Sequence, residues 1–140
     1  MIIKQISVLV MLGICSWEDI KTKRIYIWWF LCFATEGIIC QIFIWKHPAL
    51  YFFAGLCPGA AVLVLSCLSG GSIGTGDSML LMTTGIFLGA EEVIRIFIFA
   101  TFISAGYALF LYVIKKKSRT YEIPFAPFIL VSYIFSLFIA

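Results

Sequence analysis

The sequence predicts an all-α membrane protein, a bundle of six transmembrane helices that forms a single domain over residues 1–140. Hydrophobic residues make up 63% of the 140 residues and the mean hydropathy is +1.10. This composition excludes an ordinary soluble protein. The apolar residues fall into six runs separated by short polar connectors, which leave no room for an extramembrane domain.

The six runs are predicted to be helices of spanning or near-spanning length. A hydrocarbon core about 30 Å thick needs roughly 20 helical residues, fewer where Lys and Trp side chains at the ends reach the interface. The fourth run is shorter than this, so we expect it to start below the membrane surface with a glycine loop that dips in. Irregular backbone at that depth is tolerated where it lines a cavity, which itself indicates a site. The runs are Ile2–Trp17, Ile25–Trp45, Ala49–Leu68, Ser78–Ala90, Val93–Ile114 and Phe125–Ala140.

Basic residues beside the first and fifth runs predict the orientation. Cytoplasmic loops of membrane proteins carry an excess of Lys and Arg. We therefore expect the loops after helices one, three and five in the cytoplasm and both termini outside, as in a multi-pass protein of the inner membrane. Because these clusters border membrane segments, the net charge of +3 indicates topology and not nucleic-acid binding. The clusters are Lys21, Lys23 and Arg24, and Lys115, Lys116, Lys117 and Arg119.

Two acidic residues border the membrane on one side. Asp19 follows the first run and Asp77 precedes the fourth, so this topology places both at the cytoplasmic face. Asp77 closes the stretch Gly74-Thr75-Gly76-Asp77, in which the glycines let the backbone approach a ligand or a helix closely. Taken alone, Asp77 is most simply a helix N-cap. Asp19, in a comparable setting, favours a shared site instead.

Two carboxyl groups that meet at a membrane edge can share a proton. At about 4 Å they repel by roughly 4 kcal/mol at an effective dielectric near 20, which separates their titrations by about three pK units. The ionised member of such a pair can polarise a water while the other protonates a carbonyl oxygen, as in aspartic proteases. Both titrations belong to the pair, so neither role is assigned to Asp19 or Asp77 individually.

The remaining candidate groups are interpreted structurally or left open. Glu36, inside the second run, is either a third functional carboxyl or a paired structural group, and it stays outside the catalytic set. His47 is the only histidine and lies at a segment end, which argues against a His-dependent triad. Pro58-Gly59 predicts a kink in the third run. We interpret the five cysteines as small buried residues and expect neither a metal site nor a disulfide bond among them. They are Cys15, Cys32, Cys40, Cys57 and Cys67.

Three stretches together resemble the type IV prepilin peptidases, which are membrane aspartyl proteases with a G-x-G-D signature. The first is the Asp-plus-basic cluster Glu18-Asp19-Ile20-Lys21-Thr22-Lys23-Arg24-Ile25. The second is Gly74-Thr75-Gly76-Asp77-Ser78-Met79-Leu80-Leu81, followed by Gly89. The third is Ile123-Pro124-Phe125-Ala126-Pro127-Phe128. The likeness covers nearly the whole chain, in the family's order and spacing.

The resemblance implies an endopeptidase that removes the short basic leader of pilin-like precursors at the cytoplasmic face of the membrane. Asp19 and Asp77 would be its catalytic pair, supported by Gly74 and Gly76, and no cofactor is implied. Its partners would be the precursor and the lipid bilayer. The chain starts directly with the first helix and has no paired cysteines like those of the larger members. We therefore expect peptidase activity without N-methylation, as in the compact form found with Flp or tight-adherence pili.

Departures from the family pattern concern the loop geometry and the substrate. Tyr26 stands where many members have Pro, and Met79 stands where many have Lys. Glu18 and Glu122 border the expected entrance and are candidates to attract the basic leader.

A general intramembrane aspartyl enzyme is a second interpretation, disfavoured by the I-P-F-x-P stretch. A third is a small non-enzymatic transport or assembly subunit with a structural carboxylate pair.

Overall fold

The computed structural model describes residues 2–46, 48–70, 74–115 and 123–139, and these residues form six α-helices and no strand. The prediction of an all-α bundle of six helices is therefore confirmed. His47, Glu122 and most of the second basic cluster lie outside the described residues. The helices are α1 (Ile2–Thr22), α2 (Ile27–Cys40), α3 (Ala49–Leu68), α4 (Thr75–Leu88), α5 (Ala90–Val113) and α6 (Ala126–Ile139), and α2 continues as a π-helix over Gln41–Trp45.

The prediction that six helices span the membrane is wrong, as judged by the length and composition of the helices. Within the described ranges, three helices are long and apolar enough to cross a membrane: Ile27–Trp45, Ala49–Leu68 and Ala90–Val113. The helices α4 and α6 have 14 residues each, which is about 21 Å at 1.5 Å per residue and shorter than the hydrocarbon core. Helix α1 has 21 residues but carries charged side chains near both of its ends.

Helix α4 lies at the centre of the bundle, where it packs against α3, α2, α5 and α1. More than half of its residues are buried, although three of them are Ser or Thr. Because neighbouring helices shield α4 from lipid, it needs neither the length nor the uniform apolarity of a lipid-facing span. Its buried residues are Ser78, Leu80, Leu81, Thr83, Thr84, Gly85, Ile86 and Phe87.

Glycines allow α3 and α4 to approach each other at the backbone. A Cβ atom at Gly85 would overlap the carbonyl oxygen of Gly55, and one at Gly55 would overlap that of Gly85. Gly59, one turn further along α3, packs on the backbone of Met82. Gly55 and Gly59 form a G-x-x-x-G pattern, which brings helix backbones together in membranes. Pro58 lies between them, and α3 runs through it as one helix.

Large apolar side chains face outward on the long helices. Trp28 on α2 is 72% exposed and Phe102 on α5 is 74% exposed, as expected for surfaces that contact lipid.

The prediction that the cysteines are buried holds for Cys15 and Cys40. For Cys32, Cys57 and Cys67 it is wrong, because these thiols lie on exposed faces of α2 and α3.

The bundle end opposite Asp19 is joined by polar contacts. The Tyr51 hydroxyl on α3 donates to the carbonyl oxygen of Leu88 at 2.7 Å. Gly89 connects α4 to α5 with a φ of +85°, a conformation that favours glycine. On α5, Arg95 pairs with Glu91 at 3.1 Å and with Glu92 at 3.2 Å. Each acid at this end therefore has a cationic partner.

Candidate active site

Asp19 lies in the last turn of α1 and binds the start of α6. Its Oδ2 atom accepts a hydrogen bond of 3.0 Å from the backbone N–H of Ala126, which is 107 residues away in the chain. The backbone N–H of Phe125 also interacts with the carboxyl group. Ala126 is the first residue of α6, so Asp19 satisfies amide groups that a helix N-terminus leaves without intrahelical partners. Asp19 itself is only 8% exposed.

The I-P-F-A-P-F stretch explains why these amides are available. Pro124 restricts the residue before it to extended backbone, and α6 begins two residues later. Pro127 lies in the first turn, where its missing N–H removes one orphan donor and its fixed φ suits the helix. The carbonyl of Phe125 accepts from the N–H groups of Phe128 and Ile129. The backbone N–H of Ala126 is therefore available to donate to Asp19. The sequence motif did not identify this donor.

Asp77 lies in the first turn of α4, where Gly74 is the N-cap residue. The sequence suggested Asp77 itself as the N-cap, and the structure places it three residues further into the helix. A Cβ atom at Gly74 would lie 2.9 Å from the Asp77 Oδ2 atom, so any side chain at Gly74 would displace the carboxyl group. Gly76 faces the side chain of Ile25, which follows the α1 basic cluster. Both glycines therefore pack against parts of the site.

Asp19 lies in the last turn of α1 and Asp77 in the first turn of α4, both outside the three helices that can span the membrane, and the charge of Asp19 acts on the carboxyl group of Asp77. Burial raises the pKa of Asp77 to about 7, and the neighbouring charge of Asp19 acts in the same direction. Burial also raises the pKa of Asp19, while the backbone amides of Ala126 and Phe125 oppose that change. Hydrogen bonds to a carboxylate favour its charged form. With a pKa of about 7, the carboxyl group of Asp77 is partly protonated at neutral pH.

Two other acids have defined structural partners. Glu18 accepts from the Trp29 indole N–H at 2.8 Å and from the Tyr26 backbone N–H at 3.5 Å, which ties the end of α1 to the start of α2. Glu36 accepts from the Ser7 hydroxyl at 2.6 Å and joins α2 to α1. The structure thus gives Glu36 a paired structural contact. Glu122 lies outside the described residues, so its position relative to Glu18 is not described.

A groove between two other helices lies apart from this carboxyl pair. It has a volume of about 450 Å³ between α5 and α6, and Arg95 at one end belongs to the opposite side of the bundle. Among the described residues, no three His, Cys, Asp or Glu side chains converge as a metal site would require. The carboxyl pair is therefore the group on which the chemistry of a site can be built.

Comparison with known proteins identifies a family. The family model described as the type IV leader peptidase family matches residues 6–109, a segment that contains both Asp19 and Asp77. No curated protein and no solved structure matches the chain. The family match covers well over half of the sequence, and the chain belongs to the type IV leader peptidase family.

Proposed function

We propose that this protein is an aspartyl endopeptidase that removes the basic leader of prepilin-like precursors at the cytoplasmic face of the inner membrane. The observation that carries the proposal is the electrostatic interaction of Asp19 with Asp77, two carboxyl groups with raised pKa values. Titratable groups with perturbed pKa values often mark active sites. Membership of a leader peptidase family supports a hydrolytic role for the protein.

In the proposed resting state, Asp19 is ionised and Asp77 carries the proton. The amides at the start of α6 stabilise a negative charge on Asp19, and the positive end of the helix dipole acts in the same sense. For Asp77, burial and the charge of Asp19 both raise the pKa and outweigh the dipole at the start of α4, which favours the ionised form. The two groups titrate as a coupled pair, so this describes the predominant microstate.

The reaction then follows the two-carboxyl mechanism. Asp19 takes a proton from a water molecule, whose oxygen attacks the carbonyl carbon of the scissile peptide bond, while Asp77 gives its proton to the carbonyl oxygen. When the tetrahedral intermediate collapses, Asp19 returns its proton to the leaving nitrogen and Asp77 regains one from the hydroxyl group. The new carboxyl end of the leader and the new amine of the mature chain are the products, and no external reagent besides water is consumed.

The proposed substrates are pilin-like precursors, of the Flp or tight-adherence kind, with a short leader rich in Lys and Arg. Glu18 and Glu122 are proposed to attract this leader by charge. Because Glu18 also holds Trp29 and Tyr26, its replacement would disturb the α1–α2 connection as well. Glu122→Lys is therefore the cleaner test, and we expect slower processing of basic leaders. An unchanged rate would remove Glu122 from the proposal.

The direct test is co-expression with a matched Flp-type precursor, followed by measurement of leader removal in membranes. The unmodified protein should cleave the precursor, and Asp19→Asn and Asp77→Asn should each abolish cleavage while the protein remains inserted. Glu91→Gln is the control, because Glu91 is an exposed acid at the other end of the bundle. Cleavage retained in either Asn variant would end the aspartic mechanism. No cleavage by the unmodified protein would favour the non-enzymatic subunit instead.

A further inference from the structure

The side chain of Ser16 is a buried polar group for which the mechanism above has no use. Ser16 lies on α1, three residues before Asp19, and is 4% exposed. Within the described residues its hydroxyl has no hydrogen-bond partner. Residues three apart on a helix project from the same face, and both Ser16 and Asp19 are on the buried face of α1. The unpartnered hydroxyl therefore lies one turn deeper in the bundle than the catalytic carboxyl.

An unpartnered buried hydroxyl indicates a ligand with polar groups. Leaving such a group without a partner costs about 1 to 3 kcal/mol, so native proteins commonly satisfy it with a buried water that has two to four polar contacts. Asp19 supplies the second contact. A carboxylate has two oxygens with about four acceptor positions, and the backbone amides of Ala126 and Phe125 account for two donors. Acceptor positions on Asp19 thus remain for further donors.

The spacing of these two side chains suits a bridge by one water molecule. Cβ atoms three residues apart on a helix are about 5 to 6 Å from each other. The Ser16 hydroxyl makes no direct hydrogen bond to Asp19, whereas a water molecule between the two side chains can contact both. The deeper position of Ser16 means that the water would lie on the side of Asp19 that faces away from the entering peptide.

We propose that Ser16 is a positioning residue, whose hydroxyl holds a buried water molecule against the carboxylate of Asp19. The water donates one hydrogen bond to Asp19 and thereby holds the carboxylate in its rotamer and favours its ionised form. The role of Ser16 in catalysis rests on the proposed function, because it acts through Asp19. The water site itself depends only on the two side chains.

The titratable groups described around Asp19 lie on α1 and α4, and the basic residues Lys21 and Lys23 follow it in the chain. From α4, Asp77 is the acid that couples to Asp19. On α1 itself, Cys15 and Glu18 lie nearby. Burial raises the pKa of the Cys15 thiol to about 12, so this thiol is neutral over the relevant pH range, and Glu18 is held by α2. The described start of α6, residues 123–126, presents backbone amides and no titratable side chain.

The experiment compares Ser16→Ala, Ser16→Thr and Ser132→Ala. Ser132 is a matched control, because its hydroxyl is also buried and without a partner among the described residues but lies on α6, six residues past the Asp19 contact. For Ser16→Ala we expect kcat to fall about tenfold with KM unchanged, the loss of one hydrogen bond to a charged group. The acidic limb of the pH profile should move upward by about half to one pH unit, since the carboxylate loses a donor.

Rescue by Ser16→Thr, which keeps the hydroxyl, separates hydrogen bonding from packing. Ser132→Ala should leave both kcat and the acidic limb unchanged. If Ser16→Ala fails to accumulate, Ser16→Cys provides the same comparison, because a thiol fills the space but is a weak donor. An acidic limb that stays in place in the Ala or Cys variant would overturn the proposal, even if its activity fell.

A second readout does not depend on cleavage. The melting temperature of the detergent-solubilised protein should fall with rising pH until the carboxyl pair is fully ionised, and Ser16→Ala should move the acidic part of this fall, where Asp19 ionises, to higher pH. If the Asn variants of the catalytic pair still cleave, the proposed function fails, whereas this titration still supports or contradicts the water site. Identical melting profiles for the unmodified protein and Ser16→Ala would overturn the inference while leaving the peptidase intact.

Discussion

Helices α4 and α5 are consecutive in the chain and opposite in character. Helix α4 has 14 residues, most of them buried between four other helices. Helix α5 has 24 residues, and only Val93, Ile96, Ala100 and Leu111 are buried. The single residue Gly89 separates them. One helix therefore contacts protein on nearly all sides, and the other presents most of its surface to lipid.

This difference shows that the sequence features that indicate lipid contact are not those that indicate a reactive site. Hydropathy identifies α5 because lipid contact requires apolar side chains along the whole helix. Helix α4 instead contains Thr83 and Thr84, whose hydroxyls donate to backbone carbonyls one turn earlier, and Gly85, which admits α3. An acid at the start of such a helix is surrounded by protein, and its pKa rises. The helix that appears weakest as a span is the one that carries Asp77.

The largest effect on folding is expected from Gly85→Ala on α4, compared with Gly106→Ala on α5. A Cβ atom at Gly85 would overlap the Gly55 carbonyl, whereas one at Gly106 has no atom within 4 Å. We expect Gly85→Ala to destabilise the protein by about 3 kcal/mol or more, as overpacking in rigid cores does. Gly106→Ala should be neutral or stabilising by up to about 1 kcal/mol.

Thermal unfolding in detergent checks this pair of variants. Equal melting temperatures for Gly85→Ala and Gly106→Ala would mean that α3 and α4 do not meet at their backbones. The central position of α4 would then have to be abandoned.

The next effect concerns the length of the Asp77 side chain. Asp77→Glu moves the carboxyl group by one methylene, and we expect a loss of about 100-fold in the rate of leader cleavage, since a displacement near 1 Å has effects of that size. Glu91→Asp on α5 makes the reverse change at an exposed ion pair with Arg95 and should leave the rate unchanged. The rates are measured on membranes with equal protein content. Similar rates in both variants would contradict the precise placement of Asp77.

The pH dependence of stability follows from the raised pKa of Asp77. Because this pKa is about 7 in the folded protein and about 4 when unfolded, the folded state holds the proton more tightly. Stability is therefore greatest below about pH 4, falls as the pH rises to about 7, and is constant above that. Melting curves at several pH values should show this fall, and Asp77→Asn should remove most of it. A melting temperature that rises over this range would contradict the sign.

The smallest effect is expected for Thr84→Val on α4 and Thr101→Val on α5. Both hydroxyls donate to a carbonyl one turn earlier, at 2.7 Å to Leu80 and at 2.8 Å to Phe97. Thr84 is buried and Thr101 is exposed, so the first change should alter stability by about 1 kcal/mol or less and the second by less still. Denaturation of both variants tests the comparison. A larger effect at Thr101 would reverse the assignment of interior and lipid-facing helices.

Much of the fold could be predicted from the sequence, because apolar runs indicate where helices lie and charged residues indicate where they end. The third run, Ala49–Leu68, matches α3 at both ends. The number of spans was wrong because hydrophobicity does not distinguish lipid contact from protein contact, as α4 illustrates. The close approach at Gly55 was also missed, although its G-x-x-x-G spacing with Gly59 was visible and only the partner helix was unknown.

The surroundings of the two aspartates could be predicted only in part. The apolar runs predicted that Asp19 and Asp77 lie at helix ends, as the structure shows. The amides of Ala126 and Phe125 could not be predicted, since a backbone donor has no side-chain signature and its direction depends on how Pro124 and Pro127 start α6. Nor could the partners of Glu18 and Glu36 be read from the sequence, because Trp29 and Ser7 become neighbours only after the helices pack.

The sharing of one proton by two carboxyl groups can be measured by infrared titration of the detergent-solubilised protein. We predict a protonated-carboxyl band that disappears with a midpoint near pH 7, that is absent in Asp77→Asn, and whose midpoint moves to lower pH in Asp19→Asn as the neighbouring charge is removed. A carboxyl band that is the same in all three proteins, or that is lost entirely by about pH 4 as for an ordinary Asp, would contradict the shared proton.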